Sequence, residues 1–241
     1  MRGLLYIVLL GGAVLVLLTY VVLPAASAGF LTAAIGAAGL EAPDTVVRVR
    51  SDPPWDLLGL HADQVQVRAT HATFRGASVD SVALDFTNVA ILGGSTGGVV
   101  GRLDGVSLPD VGLRKLQGLR LATVDLSGSG GSMIATSTVT AADARTLIAN
   151  GIQAVLGVFP TTVTLTAPDR VVVRIAGAEA SGRVSVTADG GLVVHLDTGP
   201  MARQDLALAG ADSTPFRLTS VTVTADGGLR IVGELPGGLL G

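Results

Sequence analysis

Residues 64–91 read QVQVRATHATFRGASVDSVALDFTNVAI. Val65, Val67 and Ala69 alternate with Gln64, Gln66, Arg68 and Thr70. After Arg75-Gly76, Val82, Leu84 and Phe86 alternate with Ala83, Asp85 and Thr87. A period of two puts one set of side chains on each face of a strand, so the stretch predicts an antiparallel hairpin with one apolar face, turning at Arg75-Gly76. His71 continues the odd parity of Val65 and Val67 and reads as a hydrogen-bonded histidine near a strand end. Val89 and Ile91 fall on the opposite parity from Phe86, which predicts a bulge near Thr87-Asn88.

The same pattern continues on both sides. Upstream, Val47 and Val49 alternate with Arg48 and Arg50, and residues 29–40 (GFLTAAIGAAGL) predict a short helix ended by Pro43 and Asp44. Downstream, the glycine and serine clusters at 93–98 and 127–132 read as loops, with a strand pair at 119–126 and 133–140. Thr140 is a good N-cap with Asp143 at the third helical position. Leu147, Ile148, Ile152, Val155 and Leu156 then give an apolar stripe at helical spacing, and Pro160 stops the helix. Three later units share one design: a β-branched strand, a turn built on Asp or Asp-Gly, and a second apolar strand. They begin at Val163, Val184 and Val221 at unequal intervals, which excludes a solenoid or propeller and predicts a meander. Two modest helices cover so many strands only if the sheet curls around them. The expected fold is therefore α+β and β-dominated. One long curved antiparallel sheet holds all three units and wraps around one or two helices, leaving an elongated aliphatic groove.

Between Arg2 and Glu41 no side chain is charged, and residues 3–23 (GLLYIVLLGGAVLVLLTYVVL) are apolar apart from Thr19 and two tyrosines. About 20 such residues span a hydrocarbon core of roughly 30 Å. Ala26-Ser27-Ala28 also has the small-x-small form of a signal-peptidase site. Residues 1–28 thus read as a membrane anchor or a signal peptide, and residues 29–241 as a single exported domain in the extracytoplasmic envelope. If the leader is uncleaved, its N-terminus is cytoplasmic.

Composition narrows the chemistry. The chain has 16 Lys+Arg and 19 Asp+Glu; removing Arg2 with the leader leaves 15 positive and 19 negative groups, which argues against a nucleic-acid binder. Charged residues make up 15% of the chain, against about 25% in ordinary soluble domains. No cysteine is present, so disulfides and thiol chemistry are excluded, and an exported domain without disulfides points to a bacterial envelope. No G-x-S-x-G elbow, phosphate loop, dinucleotide fingerprint or H-E-x-x-H motif occurs. His61, His71 and His195 are widely spaced, and Lys115 is the only lysine. These absences point away from an enzyme, and no cofactor is implied.

One segment stands out, Asp52-Pro-Pro-Trp-Asp-Leu-Leu-Gly-Leu60. It places the only Trp beside three leucines after two prolines. An indole is satisfied at a membrane–water boundary, so Trp55 with Leu57 and Leu58 is a candidate groove mouth; the bland reading has the segment capping the open end of the sheet. The candidate lining is Val65, Val67, Leu84, Phe86, Leu147, Ile148, Ile152 and Val155.

The order of features resembles the actinobacterial LmeA-like phospholipid-binding family across nearly the whole exported body. It rests on the helix at 29–40, Val47–Val49, Pro54-Trp-Asp-Leu-Leu58, the alternation at 65–91, Thr138-Val-Thr-Ala-Ala-Asp143 and the strand–Asp-Gly–strand unit at 221–229. Trp55 stands where that family usually has Phe, and the glycine clusters are longer. The resemblance implies a non-catalytic envelope protein that binds or shuttles phospholipid in an elongated hydrophobic groove at a membrane. The competing expectations are a membrane-anchored structural or interaction module with a closed core and no ligand, and an envelope hydrolase with a distributed active site.

Overall fold

The computed structural model describes residues 25–29, 32, 36, 40–74, 77–91, 95–107, 120–129, 132–199, 202–203, 205–210 and 217–235. Residues 1–24 of the expected leader at 1–28 lie outside them, as do the turn at Arg75-Gly76 and most of the expected helix at 29–40; residues 25–28 are helical, as are positions 29, 32 and 36, whereas Leu40 is in a strand. No helix among the described residues is long and apolar enough to cross a membrane.

Two antiparallel sheets form the body. The larger has nine strands: β1 (Leu40–Glu41), β2 (Val46–Arg50), β3 (His61–Phe74), β4 (Ala77–Ala90), β5 (Ser95–Ser107), β6 (Arg120–Ser129), β7 (Ser132–Val139), β13 (Arg217–Val223) and β14 (Leu229–Leu235). Their order is β1-β3-β4-β5-β6-β7-β14-β13, with β2 also on the outer edge of β3. The smaller sheet runs β12-β11-β10-β9-β8, from β8 (Thr162–Thr166), β9 (Arg170–Ile175), β10 (Ala178–Val186), β11 (Leu192–Leu196) and β12 (Asp205–Ala209). The smaller sheet and the helix α1 (Ala141–Leu156) are thus inserted between β7 and β14, which are hydrogen-bonded neighbours.

The expected hairpin is present as β3 and β4, with Val65, Val67 and Ala69 buried on one face. The expected single curled sheet is not. Neither sheet is closed or strongly curled, and the three late units are divided: those at 163 and 184 build the smaller sheet, and the one at 221 forms the β13–β14 edge of the larger. Covering is achieved instead by packing. One core joins both sheets and α1, including Val82, Val124, Ile148, Ile152, Val173 and Leu206. Strand β13 is pinned against the smaller sheet by Val223 N–H donating to Pro168 O at 2.6 Å and by Arg217 Nη2 donating to Ala188 O at 2.8 Å.

Helix α1 starts as its sequence requires. Asp143 N–H donates to Thr140 Oγ1 at 3.2 Å, and that hydroxyl donates to Asp143 Oδ2 at 2.7 Å. It ends at Gly157, in the left-handed region with φ 72°, three residues before Pro160. Leu147, Ile148 and Ile152 are buried, and the helix packs against β8 and β12, the two edge strands of the smaller sheet. Sixteen residues span roughly 24 Å, enough to reach across five strands at about 4.8 Å spacing.

The glycine clusters depart from expectation. Ser95–Gly98 belongs to β5, and Ser127–Ser129 and Ser132 belong to β6 and β7, where loops were predicted. Here glycine admits close neighbours: a Cβ at Gly128 would lie 2.4 Å from Ser132 O.

The larger sheet also carries a coordinated break in its alternation. Inward positions run Val65-Val67-Ala69 and then Ala72 in β3, Val79 and then Val82 in β4, the half-buried Leu103 and then Val106 in β5, and Leu121 and then Val124 in β6. Each strand therefore spends one extra residue at the same row, and the pairing register is the same on both sides of it. His71 (φ 50°) and Gly105 (φ 61°) lie in that row in the left-handed region. His71 is consequently exposed instead of following the parity of Val67. The expected bulge near Thr87-Asn88 is absent: Asn88 (φ 51°) turns β4 to its other face while the register with β3 and β5 is kept.

Candidate functional site

Between Phe86 and Val82 the inner face of the larger sheet is only partly covered. In register across β4, β5 and β6, Phe86 faces Val99, Leu84 faces Gly101 and then Leu126, and Val82 faces Leu103. Leu84, Phe86, Leu103 and Leu126 on this face are half-buried. Leu84 lies directly over Gly101, where a Cβ would come within 2.4 Å of Leu84 Cδ2. The result is a half-buried apolar strip of the sheet face flanked by two cores, hereafter the trough.

The first flank is the large core already described. The second is a smaller cluster of Val49, Leu57, Ala62, Val65, Val67, Val89 and Ile91, with Ala28, Val47, Leu84 and Phe86 packed on it. Leu84 touches both cores, so the trough bridges them. The structure thus brings Leu57, Val65, Val67, Leu84 and Phe86 together at one end, and Leu84, Leu147, Ile148 and Ile152 at the other. Val155 joins neither; it is 39% exposed, because the helix turns its 144–147–148–152 side to the sheets. Leu103 and Leu126 are trough residues that the sequence reading did not single out. The signal available for β5 was the alternation of Val99, Gly101 and Leu103 with Val100 and Arg102, hidden behind the glycine run.

Ser137 borders the trough. It sits between Val124 and Ile231, is fully buried, and its hydroxyl has no hydrogen-bond partner. Its neighbours on this face are apolar, so the hydroxyl is a polar atom held in a dry setting.

The candidate mouth forms a 3₁₀ turn, Pro54–Gly59. With three residues per turn, positions i and i+3 share a face. Pro54 and Leu57 are the buried pair, whereas Trp55 and Leu58 project together at 59% and 69% exposure. The turn is tied down at both ends. Asp52 N–H donates to Asp63 Oδ2 at 2.7 Å, Leu60 (φ 56°) caps the turn, and Ile91 N–H donates to Leu60 O at 2.8 Å.

Among the described residues, the ion pairs lie outside the turn. Arg68 pairs with Asp85 at 2.8 Å, Arg120 with Asp80 at 2.6 Å and Arg102 with Asp104 at 3.0 Å. The Ser81 hydroxyl, and after it Arg102, hold the Asp104 carboxyl below its ordinary range. His195 Nδ1 lies 2.5 Å from Asp205 Oδ1 and its Nε2 3.7 Å from Asp197 Oδ1, so both ring nitrogens of this exposed side chain face carboxylates. Among the described residues, no three His, Cys, Asp or Glu are grouped to hold a metal ion. Compared with known protein families, curated proteins and solved structures, the chain finds no match.

Proposed function

We propose that this chain is a non-catalytic phospholipid-binding protein of a bacterial cell envelope, taking acyl chains along the inner face of its larger sheet. The observation that carries the reading is the half-buried apolar trough of Leu84, Phe86, Leu103 and Leu126 between two closed cores. Acyl chains gain about 0.8 kcal/mol per methylene removed from water, so an aliphatic trough needs no charged partner to hold them. The apolar run at 3–23 and the LmeA-like order of features support an envelope setting.

A second reading has its own support. Val67, Ile148 and Ile152 are at most 1% exposed, as expected of a closed structural module. Uptake of phosphatidylcholine bearing a fluorescent acyl chain separates the two. The lipid reading expects saturable binding that changes little between low and physiological salt, since no cation cluster is involved. Absence of uptake supports the closed module, and a steep loss with salt points to a charged site elsewhere.

A further inference from the structure

We propose that the end of the molecule carrying Trp55 and Leu58 is its bilayer-docking face, seating both side chains at headgroup level beside the point where the N-terminal apolar run ends. This deepens the lipid-binding reading, on which it rests for its choice of a bilayer as the partner.

Two independent observations converge. The first is the turn itself: Trp55 and Leu58 share one exposed face, while Pro54 and Leu57 are buried on the opposite face and Leu57 anchors it in the smaller core. The backbone is already fixed by the bonds at Asp52, Leu60 and Ile91, so presenting these side chains to a partner requires little further ordering. An indole on a fixed turn suits the interfacial layer, where its ring is apolar and its N–H can meet water or a headgroup.

The second is a tether. Ala28 packs on the same smaller core, and residues 25–29 are helical. The apolar run ends at Leu23, five residues earlier, and five residues reach at most about 18 Å even when fully extended. If that run spans a bilayer, its outer end cannot be far from the smaller core. The interfacial layer is itself about 5–8 Å thick on each side. Of the two cores, the chain therefore ties the one beneath Trp55 to the membrane.

Charge favours an apolar attachment. Arg48 and Arg50 near the turn are offset by Asp52, Asp56 and Asp63, so the face has no basic cluster to recruit anionic lipid. Docking should then proceed on zwitterionic phosphatidylcholine.

Trp55 is the only tryptophan and reports its own position. The full chain, leader included, is reconstituted in vesicles of phosphatidylcholine with or without bromine on the acyl chains. The proposal expects Trp55 emission to fall at least twofold in brominated vesicles and to resist aqueous iodide, and Leu58→Asp to reverse both effects. Equal emission in the two vesicle types, together with full iodide quenching, overturns it. Mass spectrometry of the same preparations separates the two readings. Bound phospholipid with an undocked indole defeats docking alone, and a docked indole without bound lipid upholds docking while removing the trough as a lipid site.

Discussion

Leu57 and Trp55 sit two residues apart on one 3₁₀ turn and have opposite roles, which simple stability measurements can separate. Leu57 is 2% exposed in the smaller core, so Leu57→Ala should cost about 2–5 kcal/mol in urea denaturation. Trp55 is 59% exposed, and Trp55→Ala should stay within about 0.5 kcal/mol of the parent. A loss above that range for Trp55→Ala would mean that the indole is part of the core. Ser137 gives the reverse kind of test. Its buried hydroxyl lacks a partner, a condition that costs roughly 1–3 kcal/mol, so Ser137→Ala should leave the melting temperature unchanged or raise it. A clear fall would reveal a hydrogen bond to that hydroxyl in solution. The repeated turns add a pH signature. At Thr187–Gly191 and Thr224–Gly228, the threonine hydroxyl donates to Asp189 and Asp226 and holds both carboxyls below their ordinary range. A lowered folded-state pKa stabilises above the unfolded value and is lost as pH falls through the lowered one. Asp189→Asn with Asp226→Asn should therefore flatten the acid side of the stability profile and leave its alkaline side unchanged.

Among the elements, the row containing His71, Asp80, Gly105 and Ala122 lets four strands change face together. Gly105 is left-handed, and a Cβ there would lie 2.0 Å from Asp80 Oδ2, the oxygen that Arg120 holds. Gly105→Ala should cost at least about 1–2 kcal/mol from the backbone alone and weaken the Asp80–Arg120 pair, which urea denaturation and the Arg120 side-chain NMR signal would register. No loss of stability would mean that the row relaxes freely. This row also marks what sequence could and could not reveal. The β3–β4 hairpin and the start of α1 were legible, because alternation at Val65–Ala69 and the Thr140–Asp143 cap are local signals. The face change at Asn88 was visible as a parity slip. The break at His71 was not, because it depends on Asp80 and Gly105 opposite. The turns at Asp189 and Asp226 were located correctly, but only Gly190 (φ 93°) and Gly227 (φ 82°) take positive φ; the turns close by Gly190 and Gly227 N–H donating to the threonine carbonyls. Strand β5 was missed because its glycines imitate a loop.

Across the whole molecule, the sequence foretold a β-dominated α+β body but not its division into two sheets. Alternation records that a face is apolar and is silent on what covers it. One curled sheet and two packed sheets satisfy the same pattern, and the choice is made by long-range contacts such as β13 on β10. The candidate site was partly legible for the same reason. Val65, Val67, Ile148 and Ile152 were identified as apolar and inward, yet they fill the two flanking cores. The half-covered stretch, Leu84 and Phe86 with Leu103 and Leu126, emerges only from the register of β4 to β6. A protein built to hold acyl chains there should carry them when taken from its own membrane. Native mass spectrometry of the full chain after mild extraction is the most direct test. The lipid-binding reading predicts a population heavier than the bare chain by whole phospholipid masses, released as intact lipid on activation. A bare mass throughout, from a chain that still melts cooperatively, would contradict it.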